Sequence, residues 1–373
     1  MIFYKGTAMK TAIIHYWLVN MRGGEKVIET LLEMFPDADV FTHVYNPKAI
    51  SPIINKRRIF TSRINSLPFA KKLYQFYMPL MPSALMDFDL QNYDLIISSE
   101  SGPAKGVVPN PNAYHLCYCH SPMRYLWDMY HEYFRETNFF VRFFMKRLIP
   151  GLRFWDVVSA NLVDCFVANS NYVAKRIRRY YNRKAVIIHP PVNIEKYLSI
   201  ERSPRDYYLF FGQITGYKRA DIAIKACLNS GRKLIVAGAG ANKRSFNKYK
   251  KSGLIYFTDK ISDNKIAEFF SEAKALLFPG IEDFGIVPIE ANAAGCPVIA
   301  FRRGGALDTV VENSTGLFFD EQTPQSLIEA MDYFEKNEDK FIDRDKYICH
   351  VKKFSKSVFI EQIQRLIDEK KRI

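Results

Sequence analysis

Two glutamates, Glu282 and Glu290, stand with seven residues between them in an otherwise apolar stretch, "PGIEDFGIVPIEANAAGCPVIA" (279–300). A carboxylate in apolar company is costly to bury without a partner, so the pair asks what it binds. Pro279-Gly280 ends an apolar run, and Phe284-Gly285 bends the chain and exposes backbone N–H groups. "VPIEANAAG" predicts a helix from about Pro288, since proline is tolerated in a first turn. That start places Glu290 in the first turn, near the positive helix end, where an ionised carboxylate accepts two hydroxyl hydrogen bonds. The paired hydroxyls of a ribose fit this description, and Glu282, on the preceding loop, faces a second set of sugar hydroxyls.

Other residues add the complementary charge. In "GQITGYKRAD" (212–221), Gly212 and Gly216 precede Lys218-Arg219 where a helix begins. A lysine there meets a diphosphate with its own charge and with the helix end behind it. Gly23-Gly24 at another helix start let backbone approach an anion closely, and "AGAG" (237–240) is similar. His120 closes the run "YHLCYCHS", and Pro122 takes the chain out of the sheet just after it.

These residues need elements to hold them. Apolar runs at 11–18, 37–45, 93–100, 114–121, 163–170 and 184–192 read as buried strands, with helical patterns such as "GGEKVIETLLEMFP" between them. A polar stretch at 193–206 interrupts the pattern, which restarts at 207–214, 232–240, 253–259, 273–280, 296–301 and 316–319. Nearly continuous apolar strands alternating with helices imply parallel sheets covered on both faces. The expected fold class is therefore α/β, with two Rossmann-like halves and ligands at strand C-terminal ends. The final helix is expected to start at a Ser355 cap.

Composition limits the partners. The 373 residues exceed one comfortable core, and 48% hydrophobic with 25% charged residues is globular composition. The net charge of +14 is uneven: residues 51–250 carry 31 Lys+Arg against 13 Asp+Glu, a surplus of 18, and the rest sums to −4. Such a field attracts anionic surfaces. In 54–82 and 133–155, Arg and Lys interleave with Phe, Tyr, Leu and Met, a pattern that suits a helix at a membrane surface or aromatics packed in a core with a basic rim. No helix-turn-helix, RRM or zinc-finger signature supports nucleic acid. The six scattered cysteines read as reduced structural thiols of a cytosolic protein. No run of about 18 apolar residues spans a membrane, and "MIFYKGTA" before Met9 reads as an upstream extension.

With these residues in view, "GIEDFGIVPIEANAAGCPVIAFRRGGALDTVVENSTGLFF" resembles the signature of glycosyltransferase family 4, retaining enzymes of the GT-B fold. "IIHYWLVNMRGGEKVIETLLEMFP", "CYCHSPMRYLWDMYHEY", "RFWDVVSANLVDCFVANSNYVAKRIRRYY" and "GYKRADIAIKA" are similar to its bacterial branch of O-antigen and exopolysaccharide mannosyltransferases. The resemblance implies an acceptor-binding domain at 1–192, a linker at 193–206, a nucleotide-sugar-binding domain at 207–350, and a closing helix at 351–373 that crosses back to the first domain. It implies donor contacts from Gly23, Gly24, Gly212, Lys218, Arg219, Glu282, Phe284, Gly285, Ile286 and Glu290. Of these, Glu290 would hold the ribose, Glu282 the hexose, and the 284–286 backbone the sugar and diphosphate. His120, Lys218 and Glu282 would form the catalytic group, with His120 at the reacting sugar. Many members carry arginine where this chain has Gln213, which leaves open whether Arg219 compensates or one fewer cation suffices.

The resemblance further implies mannose transfer from GDP-mannose to a polyprenyl-diphosphate-linked glycan, by a protein held peripherally at the inner face of the cell membrane. Because Lys218 and helix N-termini supply countercharge, no metal is expected; "DAD" (37–39) and "DFD" (87–89) read as neither metal site. UDP-glucose, UDP-galactose and GDP-fucose are alternative donors. A nucleotide-sugar 2-epimerase of the same fold and an inactive membrane-bound binding subunit are the other readings.

Overall fold

The computed structural model describes residues 9–240, 246–259 and 261–370; the extension before Met9 lies outside them. The chain packs as two units. One contains the residues up to His189 together with those from Gln362 onward, and the other is Pro190–Glu361. The last helix, Lys356–Lys370, begins in the second unit and ends in the first. Its N-terminus is capped as expected, with Ser355 Oγ accepting from the Val358 N–H at 3.5 Å.

In the first unit, β1 (Thr11–His15), β2 (Asp39–Thr42), β3 (Ile59–Thr61), β4 (Leu95–Glu100), β5 (Tyr114–Cys119), β6 (Cys165–Ala168) and β7 (Ala185–Ile187) form one sheet in the order 3-2-1-4-5-6-7. In the second, β8 (Tyr208–Phe211), β9 (Leu234–Ala237), β10 (Ile255–Thr258), β11 (Leu276–Phe278), β12 (Val298–Phe301) and β13 (Gly316–Phe319) follow the order 10-9-8-11-12-13. Every strand pairing in both sheets is parallel. Each is thus a doubly wound, Rossmann-like sheet with a switch in strand order, β1/β4 in one and β8/β11 in the other, where ligand sites of this architecture form.

The strands read as solid apolar runs because both faces are covered. In the second unit Phe210, Leu277 and Ile299 enter one core with the helices Ala220–Asn229 and Pro324–Lys336. Their neighbours Leu209, Leu276 and Val298 enter the other, with the helices Asp263–Glu272 and Ile286–Ala293. That alternation is the two-residue period of a strand. Two strands depart from expectation: β7 leaves Val186 and Ile187 exposed, and β10 leaves Tyr256 exposed. Both are edge strands, and an apolar run does not distinguish an edge from a centre.

Candidate active site

The predicted residues fall into two groups, one in each unit. In the second unit, loops at the β8/β11 switch point bring Lys218 and Glu282 together, with Nζ 2.8 Å from Oε1 and both side chains largely buried. Glycines make this contact possible. Gly212, just after β8, has φ +139, and a Cβ there would lie 2.9 Å from Lys218 Nζ. A Cβ on Gly280, after β11, would lie 2.7 Å from Lys218 Cα, and one on Gly238, after β9, would lie 2.3 Å from the Gly212 carbonyl oxygen. The ends of β8 and β11 thus close on the lysine, and the end of β9 closes on Gly212.

Lys218 ends a single 3-10 turn, Gly216–Lys218, and Arg219 follows at φ +53 before the helix starts at Ala220. A left-handed non-glycine residue costs about 1 kcal/mol. Here its side chain is held: Nε and Nη2 donate to Asp221, and Nη1 donates to Gln322 Oε1 at 3.1 Å. Gln322 in turn donates from Nε2 to the Pro279 carbonyl at 2.8 Å, so it ties the Lys218 turn to the Glu282 loop. Arg219 is thereby committed to Asp221 and Gln322, while Gln213 is exposed.

The Glu282 loop is clamped from β12. The Gly305 N–H donates to the Glu282 carbonyl at 2.8 Å. A Cβ on Gly304 (φ +72) would come 2.6 Å from that oxygen, and one on Gly305 would come 2.2 Å from the Phe284 carbonyl oxygen. The Phe284 side chain is buried against Phe354, leaving its backbone for the loop. Gly285 (φ +94) caps the helix Ile286–Ala293, whose first N–H groups lack intrahelical acceptors. This corrects the expected start at Pro288. Proline is the third helical residue, still within the turn whose N–H groups are unneeded, and Glu290 is the fifth, in the second turn and half-buried.

In the first unit the switch point carries a chain of polar side chains. His15, the last residue of β1, is in register with Ser99 of β4. His15 Nδ1 lies 2.9 Å from Ser99 Oγ, and Ser99 Oγ lies 2.8 Å from Nε2 of His120, the residue after β5. On the other side His15 Nε2 is 3.6 Å from Glu25 Oε1. Glu25 Oε2 accepts the Arg22 N–H at 2.9 Å, at the start of the helix Gly23–Met34. Burial pushes the Glu25 carboxyl up, but His15 and the helix-end N–H groups outweigh it and hold it below its ordinary value. Burial pushes the Tyr16 hydroxyl well up. A Cβ on Gly24 would sit 3.0 Å from Tyr16 Oη, 3.4 Å from His15 Cε1 and 3.6 Å from His120 Nε2, so this predicted glycine and this predicted histidine do share a site.

Sequence reasoning missed His15, Glu25, Ser99, Gln322 and Gly304-Gly305. His15 and Glu25 had a readable signal, a strand's last residue and the residue after a glycine doublet. Gln322 had none. The aspartates set aside as metal ligands serve structure: Asp39 accepts from Tyr93 Oη and Asp87 from Arg63. Among the described residues no cluster of three or more metal-ligating side chains occurs.

An ammonium beside a carboxylate at one strand end suits a ligand that carries both phosphate and hydroxyls. Residues 21–196 match the model "Glycosyltransferase Family 4", and 193–354 match "Glycosyl transferases group 1". An uncharacterized glycosyltransferase of Methanocaldococcus jannaschii is 27% identical over 52% of this chain and 56% of its own. The human alpha-1,3/1,6-mannosyltransferase ALG2 is 27% identical over 60% of this chain and 63% of its own. The aligned part is thus roughly half to three-fifths of these curated relatives' length. Among solved structures, Anabaena HepE in complex with UDP has a TM-score of 0.68 at 16% identity, covering 97% of this chain and all of that one, which shows the shared fold. Two adjoining family models that run from residue 21 to 354, on a pair of Rossmann-like domains with this glutamate spacing, place the chain in glycosyltransferase family 4.

Proposed function

We propose that the protein is a retaining hexosyltransferase, moving mannose from GDP-mannose to a lipid-diphosphate-linked glycan in surface polysaccharide assembly. The observation that carries the reading is the Lys218–Glu282 contact at the β8/β11 switch point. Breaking the anomeric C–O bond puts negative charge on the leaving diphosphate, where Lys218 and the N–H groups that open the Ile286–Ala293 helix offset it. Glu282 holds the hexose hydroxyls, Glu290 the ribose, and the Phe284-Gly285-Ile286 backbone the phosphates. Gly23, Gly24 and His120 are assigned to the phosphates and the reacting sugar. The acceptor oxygen forms the new bond on the face the diphosphate leaves, and its proton passes to that diphosphate. With this countercharge supplied by the chain, transfer is read as metal-independent, and a chelator should leave the rate unchanged.

Mannose as the sugar is supported by the likeness to ALG2. Membrane association at the cytoplasmic face is supported by the helix Phe139–Ser159, whose outer side carries Phe139, Phe140, Phe143, Phe144 and Phe154, all exposed, with Lys146 and Arg147 among them. Ile149, Leu152 and Asp156 are buried on the opposite side. No described helix is long and apolar enough to cross a membrane. A panel of GDP- and UDP-sugars, each offered with a polyprenyl-diphosphate glycan, tests the reading. Turnover with GDP-mannose supports it, turnover only with a UDP-sugar moves the donor, and no turnover with any pair sinks the enzyme.

A further inference from the structure

The second unit contains a cavity of about 690 Å³ at the ends of its strands opposite to the candidate site. Lys274 and Pro297 border it and lead into β11 and β12, whereas Glu282 and Gly304 follow those strands. Two arginines, Arg202 and Arg344, converge there. A Cβ on Gly295 (φ +79) would lie 2.7 Å from Arg344 Nη1 and 3.4 Å from Arg202 Cδ, so the two side chains meet over a residue that has none. Arg202 donates to the carbonyls of Phe270, Ser271, Ala273 and Lys274, at the end of the helix Asp263–Glu272. Arg344 donates to Leu198 at 3.1 Å, to Ala293 at 2.6 Å, and at 3.5 Å to Tyr197 and Asn292, where the helices Glu195–Leu198 and Ile286–Ala293 end. Helix ends offer only partial negative charge. Among the described residues no carboxylate pairs with either arginine, and burial, followed by the Arg202 charge, holds Arg344 below its ordinary value. Lys274, by contrast, is paired, 3.0 Å from Asp206. Glu201 and Glu338 also border the cavity, but both are exposed and neither pairs with an arginine.

We propose that this cavity binds a small amphipathic anion, its carboxylate or phosphate head against Arg202 and Arg344 and its apolar body against Leu198, Phe334, Phe341 and Ile348. The site goes beyond the donor residues and does not rest on the hexosyltransferase reading. Charge selects the head. Two guanidinium groups without a carboxylate partner, set in a partly buried hollow, attract an anion more strongly than an open surface would. The planar fork of arginine matches a carboxylate or a phosphate. Arg344 has a donor to spare, since its hydrogen bonds run from Nη1 and Nη2 and none runs from Nε. The wall selects the body. Phe334 and Phe341, with ring centroids 5.2 Å apart, stand beside Leu198 and Ile348, and Ile342 at the border is 77% exposed. A volume of about 690 Å³ is that of a small-molecule site. Its place is separate from the donor residues. Arg344 grips the C-terminal end of the helix Ile286–Ala293, and that helix, about 12 Å long, opens at its other end on the Glu282 loop.

The test is methyl NMR of the full chain labelled at isoleucine Cδ1, titrated in turn with octyl phosphate, octanoate, inorganic phosphate and octanol. Ile200 and Ile348 border the cavity and report on it, and Ile286 reports on the donor end of the helix. Their signals are assigned by loss in Ile200→Val, Ile348→Val and Ile286→Val. Octyl phosphate or octanoate should shift Ile200 and Ile348 and bind about tenfold or more tightly than inorganic phosphate or octanol. The tighter of the two names the head group. Arg344→Gln should abolish that binding. Because Arg344 also holds two helix ends, Ile342→Glu carries the test if that variant does not fold. It sets a carboxylate at an exposed position on the border and should weaken the tighter ligand about tenfold or more, with the thermal midpoint unchanged. Inorganic phosphate or octanol binding as tightly as the amphipathic anions overturns the proposal. So does a titration that leaves Ile200 and Ile348 unmoved, one that shifts Ile286 alone, or an unchanged affinity in Ile342→Glu. The spectra need no sugar transfer, so their failure is separate from failure of the hexosyltransferase reading.

Discussion

The Lys218 ammonium lies 2.8 Å from Glu282 Oε1, across 63 intervening residues, and sits beside Gly212. The contact is an ion pair rather than a directed hydrogen bond, since Glu282 Oε1 meets no donor at a hydrogen-bonding angle among the described residues. A carboxylate whose lone pairs are not yet spent is suited to receive hydroxyls, and a lysine held beside it can turn to a phosphate without crossing the site.

Gly212→Ala should therefore act on catalysis through Lys218. The new methyl would sit 2.9 Å from Nζ, on a backbone at φ +139 that L residues rarely adopt. Both Gly212→Ala and Lys218→Met should lower kcat by roughly 100-fold, the usual scale for one misplaced donor to a developing anion. Steady-state kinetics over a range of donor concentrations would check this. A wild-type kcat in Lys218→Met would remove the lysine from the leaving-group role.

Glu290 tests the ribose assignment. A carboxylate accepting two hydroxyls makes charge-assisted bonds worth about 1.5–3 kcal/mol, so Glu290→Gln should weaken nucleoside diphosphate binding by roughly 10- to 100-fold. Calorimetry with GDP and with 2′-deoxy-GDP separates this from a general loss of fold. The wild type should discriminate between the two ligands and Glu290→Gln should not. Equal affinity of the wild type for both would place Glu290 elsewhere.

The alternation of strands and helices was legible because central strands of a two-sided parallel sheet must be apolar, and the start of the Gly23–Met34 helix was legible from its glycine doublet. The residue types at the site were legible too, but not their partners. Nothing in local spacing says that Lys218 meets Glu282 or that Gln322 joins their loops. Those contacts follow from which strands become neighbours. The sequence pattern sets Glu290 one turn too early because it makes Pro288 the first helical residue. The left-handed Gly285 starts the helix two residues sooner, and a proline at the third position looks the same in sequence. His15 is readable as the last residue of an apolar strand, but its partner Ser99 follows only from the strand register.

The outer face of the Phe139–Ser159 helix predicts how the protein meets a membrane. Phe139, Phe140, Phe143 and Phe144 are about half exposed or more, so replacing all four with serine removes little from the fold. The variant should keep its thermal midpoint and bind anionic phospholipid vesicles at least tenfold more weakly, since each ring withdrawn from an apolar phase forfeits on the order of 1.5–3 kcal/mol when fully buried. Wild-type binding should also weaken at high salt, because the exposed Lys146 and Arg147 act through a screened field. Co-sedimentation at two ionic strengths measures both. Equal binding by the quadruple variant would return the face to a solvent-exposed surface with no lipid role.

Glu100 follows Ser99 in β4 and predicts a pH dependence of stability. Its Oε2 accepts the N–H groups of Ala104 and Lys105 at 2.9 and 2.8 Å, and its Oε1 lies 3.4 Å from Lys105 Nζ. The lysine also pairs with Asp156, which accepts from Trp127 Nε1 and Tyr181 Oη. Glu100, Lys105 and Asp156 are all fully buried. One cation among two carboxylates leaves a surplus negative charge, and burial, with Asp156 adding to it against Lys105, pushes the Glu100 carboxyl up to about 7. The folded state then holds a proton that the unfolded chain, at an ordinary value of 4.5, has released. This stabilisation is complete below about pH 4.5 and is lost as pH rises through 7, at no more than about 1.4 kcal/mol per pH unit. Glu100→Gln keeps the oxygen that accepts both backbone N–H groups and carries no proton to lose. Urea unfolding of both proteins from pH 5 to 8.5 should show the wild type losing stability relative to Glu100→Gln up to about pH 7, then a constant difference. A flat difference across the whole range would mean that Glu100 does not hold the proton.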